Sequence, residues 1–175
     1  MKYFFPDYYF HCIDELSPEF FLSREISHII FDIDDTLVKH GVEHPSEETV
    51  KLLTAFHNAG LHISFISNSK GDRAKIFAAA FPFETLVISN AKKPSKKALI
   101  PFFDHSNASI QNTAFVGDQL LTDIWLCKKW KMLNILVKPI AQYENPFFYF
   151  KRAIERPILN AYFKQLEQEN STKDD

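Results

Sequence analysis

The sequence predicts a doubly wound α/β fold, a three-layer α/β/α sandwich around a central parallel sheet of about five strands. Two observations lead to this prediction. Short apolar runs alternate along the chain with amphipathic segments of helical period, which is typical of a parallel sheet with helices on both faces. Acidic, hydroxyl and lysine side chains follow several of these runs, where the carboxyl ends of parallel strands share one edge of the sheet.

The first half of the predicted sheet begins with a strand over residues 27–32, an apolar run that ends in an acid. A helix then begins after Ser46, a suitable N-cap that is followed by two acids. It ends at Gly60, since glycine readily adopts the left-handed conformation found at helix C-termini. The next predicted elements are a strand over 61–67, an alanine-rich helix over 70–81 and a strand over 85–89.

The second half of the predicted sheet continues this alternation. Pro94 suits the first turn of a helix and predicts one over 94–103. The remaining predicted elements are a strand over 113–117, a helix over 120–130 and a strand over 132–137. We expect residues 1–164 to form a single domain, its core at about 24–140 and its aromatic N-terminal segment and C-terminal helix packed on that core. Residues 165–175 are polar and predict a frayed, disordered tail.

The composition excludes several classes of protein. The 175 residues are 46% hydrophobic and 24% charged, which suits one globular domain, and the net charge of −2 gives no basis for binding nucleic acid. Cys12 and Cys127 have no metal-ligand spacing and are expected to be reduced thiols. Pro6 and Asp7 interrupt any signal-peptide core, and no stretch is long enough to span a bilayer. We therefore expect a soluble, cytoplasmic protein.

Asp32 and Asp34 stand at the end of the first predicted strand. We expect the chain to turn directly after Asp32, so that both acids reach one site. Buried unpaired carboxylates are costly, so acids placed here need a chemical use. A magnesium-dependent phosphoryl-transfer site supplies one, because one carboxylate attacks phosphorus, the other transfers a proton and the cation holds the site together. Solvated loop acids would give the same local pattern.

Further polar residues follow the later strands and favour the catalytic interpretation. Ser67 and the backbone amides after it can hold phosphate oxygens. Lys93 can neutralise the charge on the equatorial oxygens of a transferring phosphoryl group. Asp118 offers a hard oxygen ligand of the kind that Mg²⁺ takes from proteins.

One superfamily has this set of residues in this order, and the chain resembles it. It is the haloacid dehalogenase superfamily of aspartate-nucleophile phosphatases, subfamily IIIA, and the matching residues are Asp32-Ile33-Asp34-Asp35-Thr36, Ser67-Asn68, Lys93-Pro94 and the segment 117–123. Over about residues 3–163 the chain is similar to the YqeG-type branch, which includes the phosphatidylglycerophosphate phosphatases of mitochondria and some bacteria. Phe5-Pro6-Asp7 supports this closer resemblance.

The resemblance implies a role for each matching residue. Asp32 would be the nucleophile, and Asp34 would protonate the leaving alcohol and then activate water. Phosphate would be bound by Ser67, Asn68 and Lys93. Magnesium would be held by Asp32, the backbone carbonyl of Asp34, Asp118 and Asp123, the last directly or through water. Asp35 departs from the asparagine that is usual in the branch, which alters the local charge but leaves activity expected.

Larger members of the superfamily insert a cap domain between these motifs, and this chain has no room for one. Residues 37–61 hold one loop and one helix, and residues 69–93 hold one helix and one strand. An open site favours a bulky phosphomonoester or one presented at a surface, and phosphatidylglycerophosphate is the substrate that the resemblance implies. A soluble sugar, nucleotide or protein phosphate is the alternative, and a catalytically silent binding protein is a third interpretation.

Aromatic residues are concentrated at the two ends of the chain, over residues 3–21 and 146–150. These rings pack on the sheet or on a partner subunit, since exposed aromatic patches are costly unless they are used. Alternatively they form a membrane-facing patch in which Lys151 and Arg152 meet lipid phosphates. In that case the protein would contact the inner face of the membrane weakly and peripherally.

Overall fold

The computed structural model describes residues 2–140 and 146–171. Six strands form one sheet, and every neighbouring pair of strands is parallel. The strands are β1 (Tyr8–Phe10), β2 (His28–Phe31), β3 (His62–Ile66), β4 (Leu86–Ile88), β5 (Thr113–Gly117) and β6 (Leu133–Val137). Their order across the sheet is β1-β6-β5-β2-β3-β4. From β2 the chain builds one side of the sheet with β3 and β4, and then the other side with β5 and β6. The predicted doubly wound α/β fold is confirmed.

Helices connect the strands and cover both faces of the sheet. They are α1 (Pro18–Leu22), α2 (Glu47–Asn58), α3 (Arg73–Ala78), α4 (Ile100–His105), α5 (Trp125–Trp130) and α6 (Pro146–Ser171). Single turns of 3₁₀-helix occupy Lys2–Phe4, Ile13–Glu15 and Lys96–Ala98, and a π-helical turn occupies Leu120–Ile124. No helix among the described residues is long and apolar enough to cross a membrane.

Alternate side chains of each central strand enter two separate cores. Ile29 and Phe31 of β2 belong to the core beneath α1, α2 and α3, whereas Ile30 belongs to the core beneath α4 and α5. These β2 side chains are fully buried, which contributes roughly 1.5–3 kcal/mol for each. A strand that is buried on both faces must be apolar throughout, which explains the uninterrupted apolar run before Asp32.

The sheet has one strand more than the sequence predicts, because the aromatic N-terminal segment forms β1 at its edge. Asp7 fixes this segment: its backbone N–H donates to Asn134 Oδ1 at 3.1 Å, and its Oδ2 accepts from the backbone N–H of Asn134 at 3.1 Å. Tyr8 then pairs with Ile135 of β6. A strand of three aromatic residues has no clear period of its own, so only the pairing with β6 defines it.

The helix predicted over 94–103 was wrong in its extent. The segment instead forms the turn Lys96–Ala98 and then α4, which has Pro101 in its first turn. A continuous helix from Pro94 would place Pro101 in its interior, where proline lacks an N–H and clashes with the preceding turn. The loop before this segment therefore carries Lys93 on irregular backbone.

Helix α6 continues to Ser171, into the segment over which the sequence predicts a frayed tail. Gln165 Nε2 donates to Glu169 Oε1 at 2.7 Å, an i,i+4 contact that supports a helix. The side chain of Ser171 donates to the carbonyl of Glu167 at 2.9 Å. Residues 172–175 lie outside the described part of the chain.

The two aromatic ends differ in exposure. N-terminal rings pack on the protein, since Phe4 contacts Trp125, Phe5 contacts Tyr162 and Tyr9 contacts Phe163 at centroid distances of 4.9–5.7 Å. Packing, the first of the two interpretations, therefore describes this end. At the start of α6, in contrast, Tyr149 is 74% exposed and Phe150 is 64% exposed. The side chains of residues 146–148 lie outside the described part of the chain.

Candidate active site

The polar residues singled out in the sequence lie at the carboxyl edge of three adjacent strands. Asp32 follows β2, Ser67 follows β3 and Asp118 follows β5. Because β5, β2 and β3 are neighbouring parallel strands, their carboxyl ends lie side by side, which brings these side chains together. A cavity of about 210 Å³ opens there, and its lining residues include Asp32, Asp34, Asn68, Lys93 and Lys151.

The chain turns directly after Asp32. The backbone N–H of Asp32 still donates to the carbonyl of Val116 at 2.9 Å, but Leu37 and Val38 then both donate back to the carbonyl of Ile33. Asp35 takes a left-handed conformation with φ 61°, which Asp and Asn adopt more readily than most residues. Its carboxylate accepts from the backbone N–H of His40 at 3.2 Å. Asp35 therefore stabilises the conformation of this loop.

Three buried carboxylates form the centre of the site. Asp32, Asp118 and Asp123 each offer an oxygen, and these oxygens lie within 4.8 Å of one another. Gly117 permits the approach of Asp123, since a Cβ at position 117 would lie 2.6 Å from the Asp123 carboxylate. The backbone N–H of Gln119 donates to Asp123 Oδ2 at 3.1 Å, which fixes the carboxylate in this place.

Lys93 reaches into this carboxylate triad. Its Nζ pairs with Asp32 Oδ1 and lies 2.7 Å from Asp123 Oδ1. Lys93 is therefore shared between two carboxylates of the triad. Burial acts to lower the pKa of Lys93, but Asp123 and Asp32 outweigh it and raise that pKa above its ordinary value. The lysine is therefore a permanent cation.

The three carboxylates of the triad contact two cations, Lys93 and Arg152, so full ionisation would leave an excess of negative charge. Burial raises the pKa of Asp32 to about 7, because the loss of hydration and the charges of Asp123 and Asp34 outweigh the attraction of Lys93. Burial likewise raises the pKa of Asp118 well above its usual range, although the Arg152 guanidinium opposes this shift. Carboxylates that are this costly to ionise and lie this close together are what a bound divalent cation would relieve. The residues present therefore fit a bound metal ion.

Asp34 lies beside the triad and belongs to a different network. Its carboxylate pairs with Arg73 and accepts from the backbone N–H of Gly41 at 3.1 Å, and the ring of His40 lies 3.3 Å away. The hydroxyl of Ser67 donates to it at 3.4 Å. The carboxylate thus lines the cavity but lies outside the carboxylate triad.

Ser67 and Asn68 differ in how they serve the site. Ser67 is completely buried and exchanges a hydrogen bond of 2.8 Å with Ser69. The amide of Asn68 instead bonds the backbone of Lys93 on both sides: its Oδ1 accepts from the N–H at 2.7 Å, and its Nδ2 donates to the carbonyl at 3.2 Å. Asn68 therefore fixes the loop that carries Lys93, while it also lines the cavity.

Three residues at the site were missed in the sequence, namely Arg73, Arg152 and Glu155. Arg73 holds the loop over the cavity, because Nη1 donates to the carbonyl of Val42 at 2.9 Å while Nη2 pairs with Asp34. Arg152 was considered only as a ligand for lipid phosphates, and the structure directs its guanidinium to Asp118. No local pattern marks these residues, since each acts across a tertiary contact.

The chain resembles known proteins over most of its length. Residues 1–140 match the family model described as mitochondrial PGP phosphatase. The probable phosphatase YqeG of Bacillus subtilis (strain 168) is 29% identical over 160 residues, which cover 91% of this chain and 92% of that protein.

Two solved structures have a similar fold. An uncharacterized protein from Listeria monocytogenes serotype 4b has a TM-score of 0.53 at 14% identity, with 69% of this chain and 85% of that chain covered. A hypothetical protein from Xanthomonas campestris has a TM-score of 0.53 at 16% identity, with 71% and 70% covered. At these identities the two structures show a shared fold alone.

Proposed function

The chain belongs to the mitochondrial PGP phosphatase family and is a phosphatase of the haloacid dehalogenase type, and from this premise we propose that it hydrolyses phosphatidylglycerophosphate to phosphatidylglycerol with magnesium. The observation that carries the proposal is the buried carboxylate triad in contact with Lys93 at the open edge of the sheet. A binding protein without catalysis has no need for three buried acids beside a buried cation, because their burial costs free energy.

We assign the nucleophile to Asp32. Its carboxylate attacks phosphorus, the bond between phosphorus and the leaving oxygen breaks, and the phosphoryl group is then carried on Asp32. Lys93, paired with Asp32 in the structure, neutralises the phosphoryl oxygens during this transfer, and Ser67 donates a hydrogen bond to them. The cavity supports this assignment, since Asp32 and Lys93 both line it.

We assign general acid and base catalysis to Asp34. In the first step its carboxyl group gives a proton to the leaving alcohol. In the second step its carboxylate takes a proton from water as that water attacks phosphorus, which releases phosphate and restores Asp32. The contacts of Asp34 with Arg73 and Gly41 support this assignment, because they hold the carboxylate at the mouth of the cavity.

Magnesium would be held by Asp32, Asp118 and Asp123 and by the backbone carbonyl of Asp34. When bound, the cation neutralises charge on the nucleophile and on the phosphoryl oxygens. The high cost of ionising Asp32 and Asp118 without a metal supports this site.

Asparagine in place of Asp118 should remove most of the activity through loss of magnesium. An amide oxygen is a weaker ligand than a carboxylate, so the magnesium concentration for half-maximal rate should rise by more than the roughly 10–100-fold typical of residues outside the coordination sphere. Phosphate release should be measured across a magnesium titration, with thermal melting in EDTA as the control for folding. Excess magnesium should restore part of the rate, and full wild-type activity in EDTA would contradict the metal assignment.

Substrate presentation at a membrane is the second part of the proposal. Tyr149 and Phe150 are exposed and lie within one helical turn of Lys151, which lines the cavity, so two exposed rings are near the site. The described residues contain no cap over that site. Phe and Tyr side chains enter the headgroup region of a bilayer readily, and a lysine there can meet lipid phosphates. On this view residues 1–164 act as one phosphatase domain that is cytoplasmic and only peripheral at the inner face of the membrane.

Serine at both Tyr149 and Phe150 should lower the rate on phosphatidylglycerophosphate in anionic vesicles and spare the rate on p-nitrophenyl phosphate. The wild type should sediment with these vesicles at low salt and be released at high salt, because each basic residue contributes only about 1 kcal/mol at such a surface. Leu22→Ser is the matched control, since Leu22 is also exposed but ends the helix that leads to the amino end of β2. Equal losses on both substrates would contradict the membrane role, and no sedimentation at low salt would favour a soluble phosphomonoester.

A further inference from the structure

The C-terminal helix α6 sends an arginine to the carboxylate triad. Arg152 Nη1 donates to the backbone carbonyl of Asp118 at 2.7 Å, and Nη2 pairs with Oδ2 of the same residue. One planar guanidinium thereby holds both the main chain and the side chain of a triad member. Helix α6 begins at Pro146, beyond the residues 1–140 that match the family model.

Glu155 completes this contact one turn further along α6. It is 1% exposed, and its Oε2 accepts from Arg152 Nη1 at 2.9 Å. Its Oε1 accepts from the backbone N–H of Leu121 at 3.0 Å. Leu121 belongs to the π-helical turn Leu120–Ile124, which carries Asp123. Arg152 and Glu155 therefore contact the segment 118–123, which supplies two of the three triad carboxylates, at Asp118 and at Leu121.

We propose that Arg152 is a positioning residue that fixes Asp118 as a magnesium ligand, and that Glu155 orients Arg152. This inference rests on the proposed magnesium site. A carboxylate whose orientation is fixed before the metal arrives loses less conformational freedom on binding it, and side chains that orient metal ligands commonly matter nearly as much as the ligands themselves. Helix α6 would then be part of the active site.

The sign of the effect separates positioning from simple electrostatics. A guanidinium beside a metal site repels the cation, so its removal should tighten magnesium binding if charge alone mattered. If Arg152 positions Asp118, its removal should weaken magnesium binding despite the lost repulsion. The two roles therefore predict opposite changes in the dissociation constant of magnesium.

Arg152→Met should weaken magnesium binding about 10–100-fold, the range usual for residues that orient metal ligands. The full-length protein should be titrated with magnesium chloride in a calorimeter without substrate, so that the result does not depend on turnover. Arg152→Lys should give an intermediate loss, because an ammonium keeps the charge but lacks the rigid planar donors that hold the carbonyl and the carboxylate in one geometry. Lys164→Met is the matched control, as Lys164 is an exposed basic residue of the same helix, and it should bind magnesium as the wild type does.

Glu155→Gln should weaken magnesium binding in the same direction, and the double variant Arg152→Met with Glu155→Gln should be no worse than Arg152→Met alone. Residues that act through one another give such non-additive losses. Thermal melting in EDTA measures any purely structural role. A lower melting temperature with unchanged magnesium affinity would overturn the proposal, and so would tighter binding in Arg152→Met.

Failure of the inference can be distinguished from failure of the proposed function. If the wild type binds no magnesium, the proposed metal site fails, and with it the premise of this inference. If the wild type binds magnesium and Arg152→Met binds it equally well, only the positioning role fails. Should Arg152→Met not fold, Arg152→Lys and Glu155→Gln decide the question, since wild-type magnesium affinity in both would overturn the role.

Discussion

Asparagine in place of Asp32 should abolish phosphate release while the fold remains intact. An amide cannot form the phosphorylated intermediate, and of the two triad carboxylates that contact Lys93, Asp32 is the one that lines the cavity. The measurement is the rate of phosphate release from p-nitrophenyl phosphate and from phosphatidylglycerophosphate in saturating magnesium. Turnover near the wild-type rate would exclude Asp32 as the nucleophile.

The fold should tolerate this change for an electrostatic reason. The pKa of Asp32 is raised to about 7 from its ordinary 3.8, so the stability of the metal-free protein falls as the pH rises through this interval and the buried carboxyl group ionises. A neutral asparagine removes that cost, and its oxygen can still accept from Lys93. Thermal melting of Asp32→Asn in EDTA at pH 8 should therefore occur at the wild-type temperature or above it.

Asparagine in place of Asp34 should slow turnover by about 10²–10⁴-fold, the usual size of a lost general acid and base. Substrate binding should change little, because Lys93 and Ser67 remain in place. The loss should be greatest for substrates with a poor leaving group such as an alkoxide, since these depend most on a proton from Asp34. Phosphatidylglycerophosphate has a poor leaving group and p-nitrophenyl phosphate has a good one. The measured loss of rate should therefore be larger on phosphatidylglycerophosphate.

Asp35→Asn is the matched control for this variant. It makes the same chemical change at the adjacent residue, whose carboxylate accepts from the backbone N–H of His40 and holds the loop. Asparagine also adopts the left-handed conformation found at Asp35, so the loop should persist. Equal losses in Asp34→Asn and Asp35→Asn would mean that the first variant acts through the loop and not through proton transfer.

The sequence was sufficient to predict the central part of the fold and the acids at its edge. Each of the three central strands ends in buried apolar residues, and the first polar residue after them marks the end of the strand. Asp32, Ser67 and Asp118 stand at such ends, and the parallel sheet brings them together. Local pattern and tertiary placement agree at these positions, which is why inference from the sequence was possible.

The contacts that complete the site could not be predicted in this way. Arg73, Arg152 and Glu155 lie on helices, where a charged residue usually marks a solvated face, and only the packing of those helices directs them inward. Strand β1 is similar, because it exists through Asp7 and its bonds to Asn134 across the sheet edge. The contacts of Arg73 with Val42, of Glu155 with Leu121 and of Asp7 with Asn134 each join residues that are more than 30 positions apart in the sequence.

The central claim is that Asp32 carries the phosphoryl group, and trapping that group tests it most directly. The Asp34→Asn variant should be mixed with p-nitrophenyl phosphate and magnesium, then quenched in acid and digested for peptide mass spectrometry. This substrate needs little help from a general acid to leave, so the first step should proceed while the slowed hydrolysis lets the intermediate accumulate. We predict a phosphoryl group on Asp32 that disappears when Asp32→Asn is added to the variant. Phosphate release with no adduct on Asp32, or an adduct on another residue, would contradict the account.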